Sequence, residues 1–442
     1  MNVCFVSLGC DKNLVDTEKM LGLIRDRGYS LTNDELEADI IVINTCCFIH
    51  DAKQESINTI LELAEYKKAG RLKALIVAGC LAERYKEEIT KEIPEVDALL
   101  GTTSQDAILE VIDSVLEQRS KNVFHDINYL SLPETKRVNT TGGYYSYLKI
   151  AEGCDKHCTY CAIPKMRGDF RSVPMEALLA EARFLAEGGC KELILVAQET
   201  TVYGVDLYGE KTLPKLLHEL GQIDGLEWIR LLYCYPEEIT DELIHAIKTE
   251  PKVCHYLDMP VQHASDAVLR SMGRRTSRAE LEALMEKLRK EIPDIVLRTS
   301  LITGFPGETE EDHEILKDFI QKVRFERLGV FTYSKEEGTP AAKRKDQILK
   351  KVKVKRQKEL MKLQQQIAFE NARDMIGRQV DVMIEGKLVE EEVYIGRTYM
   401  DAPKVDGYLF LYATDELMSG DIVRAEIMDA KGYDLIGRII EE

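Results

Sequence analysis

The stretch EGCDKHCTYCAIP, residues 152–164, decides the fold of the middle of this chain. It follows an apolar run at 144–151 that we interpret as a buried β-strand. Five further runs of this kind come after it, at 192–198, 228–234, 254–261, 295–303 and 328–334. Helical patterns separate them, among them 175–189 and 310–323. Repeated β–α units predict an α/β fold, a partly open (β/α)6 barrel resembling a TIM barrel with six units instead of eight.

Three cysteines of this stretch have the spacing CxxxCxxC: Cys154, Cys158 and Cys161. Three thiolates on one tight loop can bind three irons of a 4Fe-4S cluster and leave the fourth iron open. A structural zinc site normally uses four ligands, and His157 is poorly placed inside the loop to be the fourth. The spacing therefore favours a cluster over zinc and over three unliganded structural cysteines.

This spacing, after the first strand of a βα barrel, resembles the radical S-adenosylmethionine (SAM) superfamily. The resemblance implies that SAM binds the open iron and is cleaved by electron transfer to methionine and a 5′-deoxyadenosyl radical. Tyr160 occupies the family's aromatic position before the last cysteine, which implies a place near the adenine.

Other barrel segments match this superfamily more loosely, and the match implies further contacts to SAM. Gly188 and Gly189 precede the second strand, where they would let the backbone approach the amino end of SAM. For any glycine pair, a helix stop or a turn is the alternative. Further candidates lie in ITGFPGET or at strand ends, where barrel active sites form: Gly304, Gly307, Gln198, Arg298 and His263. His263 is equally compatible with a purely structural role.

Residues 1–138 alternate apolar runs with helical patterns, which predicts a doubly wound α/β domain. The runs are continuous, as is typical of buried parallel strands, and lie at 3–8, 39–45, 73–79 and 97–102. We expect one helix at 16–27, with Asp16 as its N-cap and Gly28 after its end. A second helix is expected at 53–68.

Three more cysteines each follow one of these strands: Cys10, Cys46 and Cys80. Because the carboxyl ends of parallel strands meet at one edge of a sheet, the three thiols should converge. Convergence favours a second cluster with an open iron, although chance placement is the alternative. Cys47 is adjacent to Cys46, and neighbouring strand residues point to opposite faces, so we expect Cys46 to be the ligand. The others are interpreted as small buried hydrophobic residues: Cys4, Cys190, Cys234 and Cys254.

The polar, turn-rich stretch at 130–143 marks a domain boundary, and we divide the chain into 1–138, 139–372 and 373–442. Residues 343–373 are basic and helical. Taken alone they resemble a nucleic-acid-binding tail, but a solvated helix that links two domains is the favoured interpretation. Beyond about 374, short alternating strands predict a small antiparallel β-barrel.

Composition limits the possible functions. Of the 442 residues of the chain, 45% are hydrophobic and eleven are cysteines, and the net charge is −18. No uninterrupted apolar run is long enough for a membrane helix, and the start MNVCFVSLGC looks like a strand, not a signal peptide. An odd cysteine count argues against a disulfide framework and for the reducing cytoplasm. The acidic charge disfavours nucleic acid and suits a basic partner.

Three segments together resemble the amino-terminal domain of the methylthiotransferases: SLGCDKNLVDTE (7–18), INTCCFIHDAKQESI (43–57) and AGCLAERY (78–85). The resemblance implies an auxiliary 4Fe-4S cluster on Cys10, Cys46 and Cys80, whose open iron binds the sulfur that is transferred. It extends over the whole chain, and the terminal barrel is similar to a TRAM domain. Residues 7–18 favour the branch that modifies a ribosomal protein over the tRNA branch.

Charge supports the same branch, since residues 373–442 hold 8 Lys and Arg against 16 Asp and Glu. Such a barrel suits a basic protein better than phosphate, although an acidic surface kept only for solubility is the alternative. The resemblance implies methylthiolation of an aspartate β-carbon in small-subunit ribosomal protein twelve. One SAM would methylate the sulfur and another would supply the radical that abstracts the β-hydrogen. An external electron donor, a sulfur donor and a monomeric enzyme are expected.

Three alternatives stay open. A tRNA adenosine methylthiotransferase would need a terminal barrel that binds tRNA. A non-catalytic cluster carrier or electron-transfer protein would not cleave SAM. A different radical enzyme with an auxiliary cluster would cleave SAM but transfer no methylthio group.

Overall fold

The computed structural model describes residues 1–131, 137–388, 392–413 and 416–440. They contain a five-stranded sheet, a six-stranded sheet, a closed five-stranded barrel and a short two-stranded sheet. Every helix within these ranges is too short or too polar to span a lipid bilayer.

The first sheet is parallel throughout and has the order β2-β1-β3-β4-β5. Its strands are β1 (Asn2–Ser7), β2 (Ser30–Thr32), β3 (Ile40–Thr45), β4 (Ala74–Gly79) and β5 (Ala98–Leu100). The helices around it are α1 (Asp11–Asp26), α2 (His50–Lys68), α3 (Cys80–Arg84), α4 (Lys86–Glu92) and α5 (Ile108–Leu116). The four predicted strands are confirmed, and only the short, mostly exposed edge strand β2 escaped the sequence pattern.

Helix α1 begins five residues earlier than predicted, and the assignment of Asp16 as its N-cap is wrong. Cys10 is the residue before the first turn, with extended backbone. Asp16 lies within the helix and is 3% exposed, in an ion pair with Arg167. The prediction failed because a buried aspartate with a distant cationic partner has the same local sequence as a cap.

The second sheet has the order β13-β12-β11-β10-β9-β6 with every pair parallel, which confirms the partly open six-unit barrel. Its strands are β6 (Tyr145–Lys149), β9 (Glu192–Val196), β10 (Trp228–Leu231), β11 (Val253–Asp258), β12 (Val296–Thr303) and β13 (Arg327–Thr332), while β7 (Ala151–Glu152) and β8 (Arg171–Ser172) form the two-stranded sheet. Its helices are α6 (Ile163–Arg167), α7 (Met175–Glu187), α8 (Val205–Tyr208), α9 (Leu213–Gly221), α10 (Asp241–Thr249), α11 (Asp266–Met272), α12 (Arg278–Glu291) and α13 (Glu310–Val323).

The basic segment forms α14 (Lys350–Arg373), which packs against β13 and β17 and so links two units, in agreement with the favoured interpretation. The terminal barrel contains β14 (Gln379–Lys387), β15 (Val393–Arg397), β16 (Leu409–Tyr412), β17 (Ile422–Lys431) and β18 (Asp434–Ile439). Its strand pairs are antiparallel except β16 with β18, which run parallel. It shares one apolar core with Tyr145 and Tyr256 of the six-stranded sheet and with Val15 of α1.

Candidate functional site

The loop after β7 carries the loop set, which we define as Cys154, Cys158 and Cys161. Two backbone hydrogen bonds fold it: the Cys154 amide donates to the Gly168 carbonyl at 3.1 Å, and the Cys161 amide donates to the Cys158 carbonyl at 3.0 Å. At Gly153, φ is +78° and a Cβ would lie 1.9 Å from the Asp169 carbonyl oxygen. Only glycine fits there, and the tight turn that it allows brings the three thiols onto one loop.

Burial raises the pKa of both the Cys154 and the Cys161 thiols to about 12. Such thiols stay protonated at neutral pH unless something binds and stabilises the thiolate. A coordinating metal does this, because it deprotonates the thiol outright. At neutral pH the two thiols are therefore poor free nucleophiles, and a bound metal would be needed to deprotonate them.

Aromatic and cationic side chains surround the loop set. The Tyr235 hydroxyl lies 2.6 Å from the Cys158 sulfur. The Arg274 guanidinium stacks on the Tyr235 ring at 3.8 Å and forms an ion pair with Glu237 at 3.0 Å. Tyr160 packs against an apolar cluster that includes Phe305. The loop thus lies in a largely dry pocket, where electrostatic interactions are strengthened.

The strand-end set, which we define as Cys10, Cys46 and Cys80, gathers at the carboxyl edge of the first sheet. A Cβ at Gly9, where φ is +91°, would lie 2.5 Å from the Cys46 Cβ, so the chain before Cys10 passes directly over Cys46. Burial, together with the neighbouring Cys80 and Cys10 thiols, raises the pKa of Cys46 to about 12. Burial also raises the pKa of Cys80, and the nearby Arg167 acts in the opposite direction.

Cys47 packs into the apolar core of the first domain. Its sulfur lies 3.2 Å from the Cys80 carbonyl oxygen and 3.2 Å from the Met166 sulfur, within the apolar core. Cys46 instead has Gly9 and Cys10 beside it. The cysteines predicted to be core residues are all buried, and all eleven cysteines are free thiols.

Neither set converges on a single point: within the described part of the chain, no three His, Cys, Asp or Glu side chains could hold one metal ion. An iron–sulfur cluster does not require such convergence, because each thiolate binds a different iron. By its chemistry a set of three thiolates suits a cluster with one open iron, whereas a structural zinc site normally uses four ligands around one ion.

A buried ion network ties the two sets together. Arg167, at the end of the helix after the loop set, contacts Asp16 at 2.8 Å and Glu152 at 3.0 Å. Lys149 joins the same two carboxylates. Asp16 is on the helix that follows Cys10, and Glu152 comes two residues before Cys154. The network therefore fixes one set of thiols relative to the other, and residue types alone gave no sign of it.

Some predicted SAM contacts lie elsewhere. Gly188 and Gly189 end α7 at the amino end of β9, whereas the loop set lies at the carboxyl end of the barrel, so the structure does not bring these glycines to it. The glycines of ITGFPGET approach other parts of the chain: a Cβ at Gly304 would lie 2.3 Å from Lys353, and one at Gly307 would lie 2.5 Å from Arg344. The space predicted for the adenosyl group at these two positions is filled by side chains of the chain itself.

The remaining candidates are held by neighbouring side chains. Arg298 forms an ion pair with Asp258 at 2.6 Å and lies 3.5 Å from Asp406 of the terminal barrel. His263 is completely buried, which lowers its pKa to about 3, and its Nδ1 accepts a hydrogen bond from the Ser265 amide. Its structural interpretation is therefore favoured. The Gln198 amide donates to Glu152 at 2.8 Å, directly beside the ion network.

Glu199 is a candidate that the sequence analysis missed. It follows β9 at the carboxyl end of the barrel and is 1% exposed. Burial raises its pKa to about 7, and its Oε2 has no hydrogen-bond partner among the described residues. Its negative charge contributes to raising the pKa of the Cys154 thiol. The available signal was an acidic residue at the end of a barrel strand, where active sites form.

Three family models match separate parts of the chain. Residues 2–101 match the uncharacterized protein family UPF0004, residues 148–320 match the radical SAM superfamily, and residues 376–440 match the TRAM domain. Among solved structures, the radical SAM methyltransferase TsrM from Kitasatospora setae has a TM-score of 0.56 at 13% identity, over 74% of this chain and 72% of that one. A similarity at this identity establishes the fold alone.

Much closer relatives exist among curated proteins. Ribosomal protein uS12 methylthiotransferase RimO of Lachnoclostridium phytofermentans is 73% identical over 437 residues, which are 99% of each chain. The protein of the same name from Thermoanaerobacter sp. is 50% identical, again over 99% of each chain. Because these similarities extend along essentially the whole sequence, the chain belongs to the RimO family of radical SAM methylthiotransferases.

Proposed function

We propose that this enzyme methylthiolates the β-carbon of an aspartate in ribosomal protein uS12, using SAM and two 4Fe-4S clusters. The observation that carries the proposal is the pairing of two sets of three thiols, each at the carboxyl end of its own parallel sheet. The ion network around Arg167 joins them. A single-cluster enzyme would need only one such set.

In this proposal the loop set binds the cluster that receives SAM, and the strand-end set binds the auxiliary cluster. When bound, these groups supply reductive cleavage of SAM, a carbon-centred radical and the sulfur that is transferred. Cys47, whose sulfur is engaged by Met166 and the Cys80 carbonyl, has a packing role and does not replace Cys46.

The residues of the chain prepare the site for these groups. The unpartnered Oε2 of Glu199 is available to accept a hydrogen bond from the SAM ammonium, and the buried, unpartnered Oε1 of Gln198 is a second acceptor nearby. The hydroxyl of Tyr235 steadies Cys158, and Tyr160 offers its ring to the adenine. Gly188, Gly189, Gly304 and Gly307 shape turns in this scheme, and Arg298 fixes the terminal barrel against β11 and β12.

The acidic charge of the chain supports a protein substrate over tRNA. A TRAM barrel with an excess of carboxylates would repel phosphate, whereas uS12 is expected to be basic and to dock by charge complementarity. We further propose that the domains extend over 1–138, 139–372 and 373–442, and that the enzyme is a cytoplasmic monomer served by an external electron donor and a sulfur donor.

The test uses anaerobically reconstituted protein with reductant, SAM, sulfide and a peptide that carries the uS12 target loop. Mass spectrometry should show the gain of one methylthio group. Cys10→Ala should abolish this gain, whereas Cys4→Ala, a buried cysteine of the same sheet outside the strand-end set, should retain it. SAM cleavage with an unmodified peptide would reject the substrate assignment and direct the assay to tRNA. Transfer by Cys10→Ala would reject the auxiliary site.

A further inference from the structure

One buried cation differs from all the others in the described part of the chain. Eight lysines and arginines are buried there, and seven of them form ion pairs with carboxylates: Arg137, Lys149, Arg167, Arg230, Arg274, Arg356 and Arg397. The eighth is Lys12, 6% exposed, which has neither an ion pair nor a hydrogen bond to any described residue. Its apolar stem is buried, whereas the ammonium is not among the buried polar atoms that lack a partner, so it keeps contact with solvent and can meet an incoming group.

An aromatic ring holds the Lys12 ammonium in place. Its Nζ lies 3.1 Å from the centroid of the Tyr233 ring. The neighbouring Asp11 forms no ion pair with Lys12; its carboxylate accepts a hydrogen bond from the Tyr233 hydroxyl at 3.3 Å. A ring attracts the ammonium through its quadrupole without neutralising it. The N–H groups that face away from the ring therefore remain available to an anion.

The backbone at Tyr233 is strained into this position. Its φ is +61°, in the left-handed region that bulky residues avoid. Two hydrogen bonds hold it: its amide donates to Asp258 at 3.1 Å, and its carbonyl accepts from the Thr200 amide at 3.1 Å. Strain of this kind is concentrated at functional sites, where surrounding contacts impose it.

Lys12 also lies between the two cysteine sets. It is two residues after Cys10, whose charge contributes to raising the pKa of Tyr233. Two residues further along the same segment, Tyr235 touches Cys158 of the loop set. The segment after β10 thus connects the Lys12 ammonium with both sets, because Tyr233 lies under the ammonium and Tyr235 contacts Cys158.

We propose that Lys12 binds the side-chain carboxylate of the target aspartate and thereby orients its β-carbon; this rests on the function proposed above. The enzyme is strongly acidic, so a substrate carboxylate needs a dedicated cation to enter this cleft. Among the described residues, every other buried cation already has a carboxylate partner. Lys12 is therefore a specificity-determining residue, and Tyr233 is the positioning residue that holds it.

The experiment compares two fluorescent peptides that span the uS12 target loop, one with the natural aspartate and one with that residue changed to asparagine. Binding to the reconstituted, full-length enzyme is measured by anisotropy, and methylthio transfer by mass spectrometry. Wild type should bind the aspartate peptide about tenfold more tightly, because a charged hydrogen-bonded pair is replaced by a neutral one. Lys12→Met should bind both peptides equally. Lys12→Arg should recover part of the preference.

The matched control is Lys19→Met, on the same helix, because Lys19 has its own carboxylate partner in Glu181 at 3.6 Å. It should keep the full preference for aspartate. Iron content establishes that the variants retain their clusters. A second measurement needs no variant: zero-length carbodiimide coupling of wild type should join the aspartate peptide to Lys12, and the asparagine peptide should not couple there.

Each outcome decides between the claims. An unchanged preference in Lys12→Met, or coupling of the aspartate peptide to other lysines only, overturns the role of Lys12 while uS12 remains the substrate. Equal loss of binding to both peptides also overturns it, since the lysine would then not recognise the carboxylate. If wild type cleaves SAM but modifies neither peptide, the proposed function fails, and this inference fails with it.

Discussion

The loop set and the strand-end set show two ways of bringing three thiols together. The loop set lies within eight consecutive residues and is held by a glycine turn, so its spacing alone predicts it. The strand-end set is spread over 71 residues, from 10 to 80, and is assembled by the parallel order of β1, β3 and β4. The first depends on local backbone geometry, whereas the second depends on the integrity of a whole sheet.

The largest effects should come from removing a cysteine of either set. Cys158→Ala and Cys80→Ala should each bind about half of the wild-type iron, because each set is proposed to hold one of two equal clusters. Methylthio transfer should be abolished in both. Iron analysis and mass spectrometry of the peptide measure the two effects. If Cys80→Ala bound as much iron as wild type, the strand-end set would hold no cluster. The two sets would then not be two versions of the same kind of site.

The next largest effect should come from Arg167, the residue that ties the sets together. Arg167→Leu leaves Asp16 and Glu152 buried with only Lys149 between them. Breaking a buried ion pair on one side lowers the free energy of unfolding by about 3–5 kcal/mol. Denaturant titration measures this loss. Arg27→Leu, which removes a largely exposed ion pair with Asp113, should change stability by less than about 0.5 kcal/mol, and an equal loss there would contradict the role of the network.

The next effect is pH-dependent and comes from Glu199, whose charge raises the pKa of Cys154 in the loop set. The folded pKa of Glu199, about 7, is above its ordinary value of 4.5. Its contribution to stability is therefore fully present below pH 4.5 and is lost as the pH rises through 7. Between these limits wild type should lose about 3 kcal/mol relative to Glu199→Gln. The measurement is the free energy of unfolding of both proteins without SAM, by denaturant titration at several pH values. Glu62→Gln, at an exposed position, should show the same pH dependence as wild type. If Glu199→Gln also showed the wild-type pH dependence, the raised pKa of Glu199 would be refuted.

The same contrast explains what the sequence could predict. Apolar runs located the strands of both sheets, and CxxxCxxC located the loop set, because each is a pattern of neighbouring residues. The strand-end set could be inferred only through the topology rule for parallel sheets. Asp16 was misassigned, and Glu199 and the Arg167 network went unrecognised, because their roles depend on partners more than a hundred residues away or on burial. Gly188 and Gly189 were misplaced because a glycine pair indicates a turn without indicating which end of a strand it occupies.

The smallest expected effects test the turns that open each set. A Cβ at Gly153 would collide with the Asp169 carbonyl, and one at Gly9 with Cys46. Gly189 has a similar positive φ of +96° but open space around it. Gly189→Ala should therefore lower the free energy of unfolding by about 1 kcal/mol, the conformational penalty alone. In Gly153→Ala and Gly9→Ala the loss of unfolding free energy should be larger than that by about 1–2 kcal/mol, and both should bind less iron.

The two variants should differ in which cysteines they displace. Gly153→Ala should disturb only the loop set, because its clash is with the nearby Asp169 carbonyl. Gly9→Ala should displace both Cys46, with which the new Cβ collides, and the adjacent Cys10. If iron loading and stability of all three variants were equal, the close packing over the cysteines would have no part in holding the clusters.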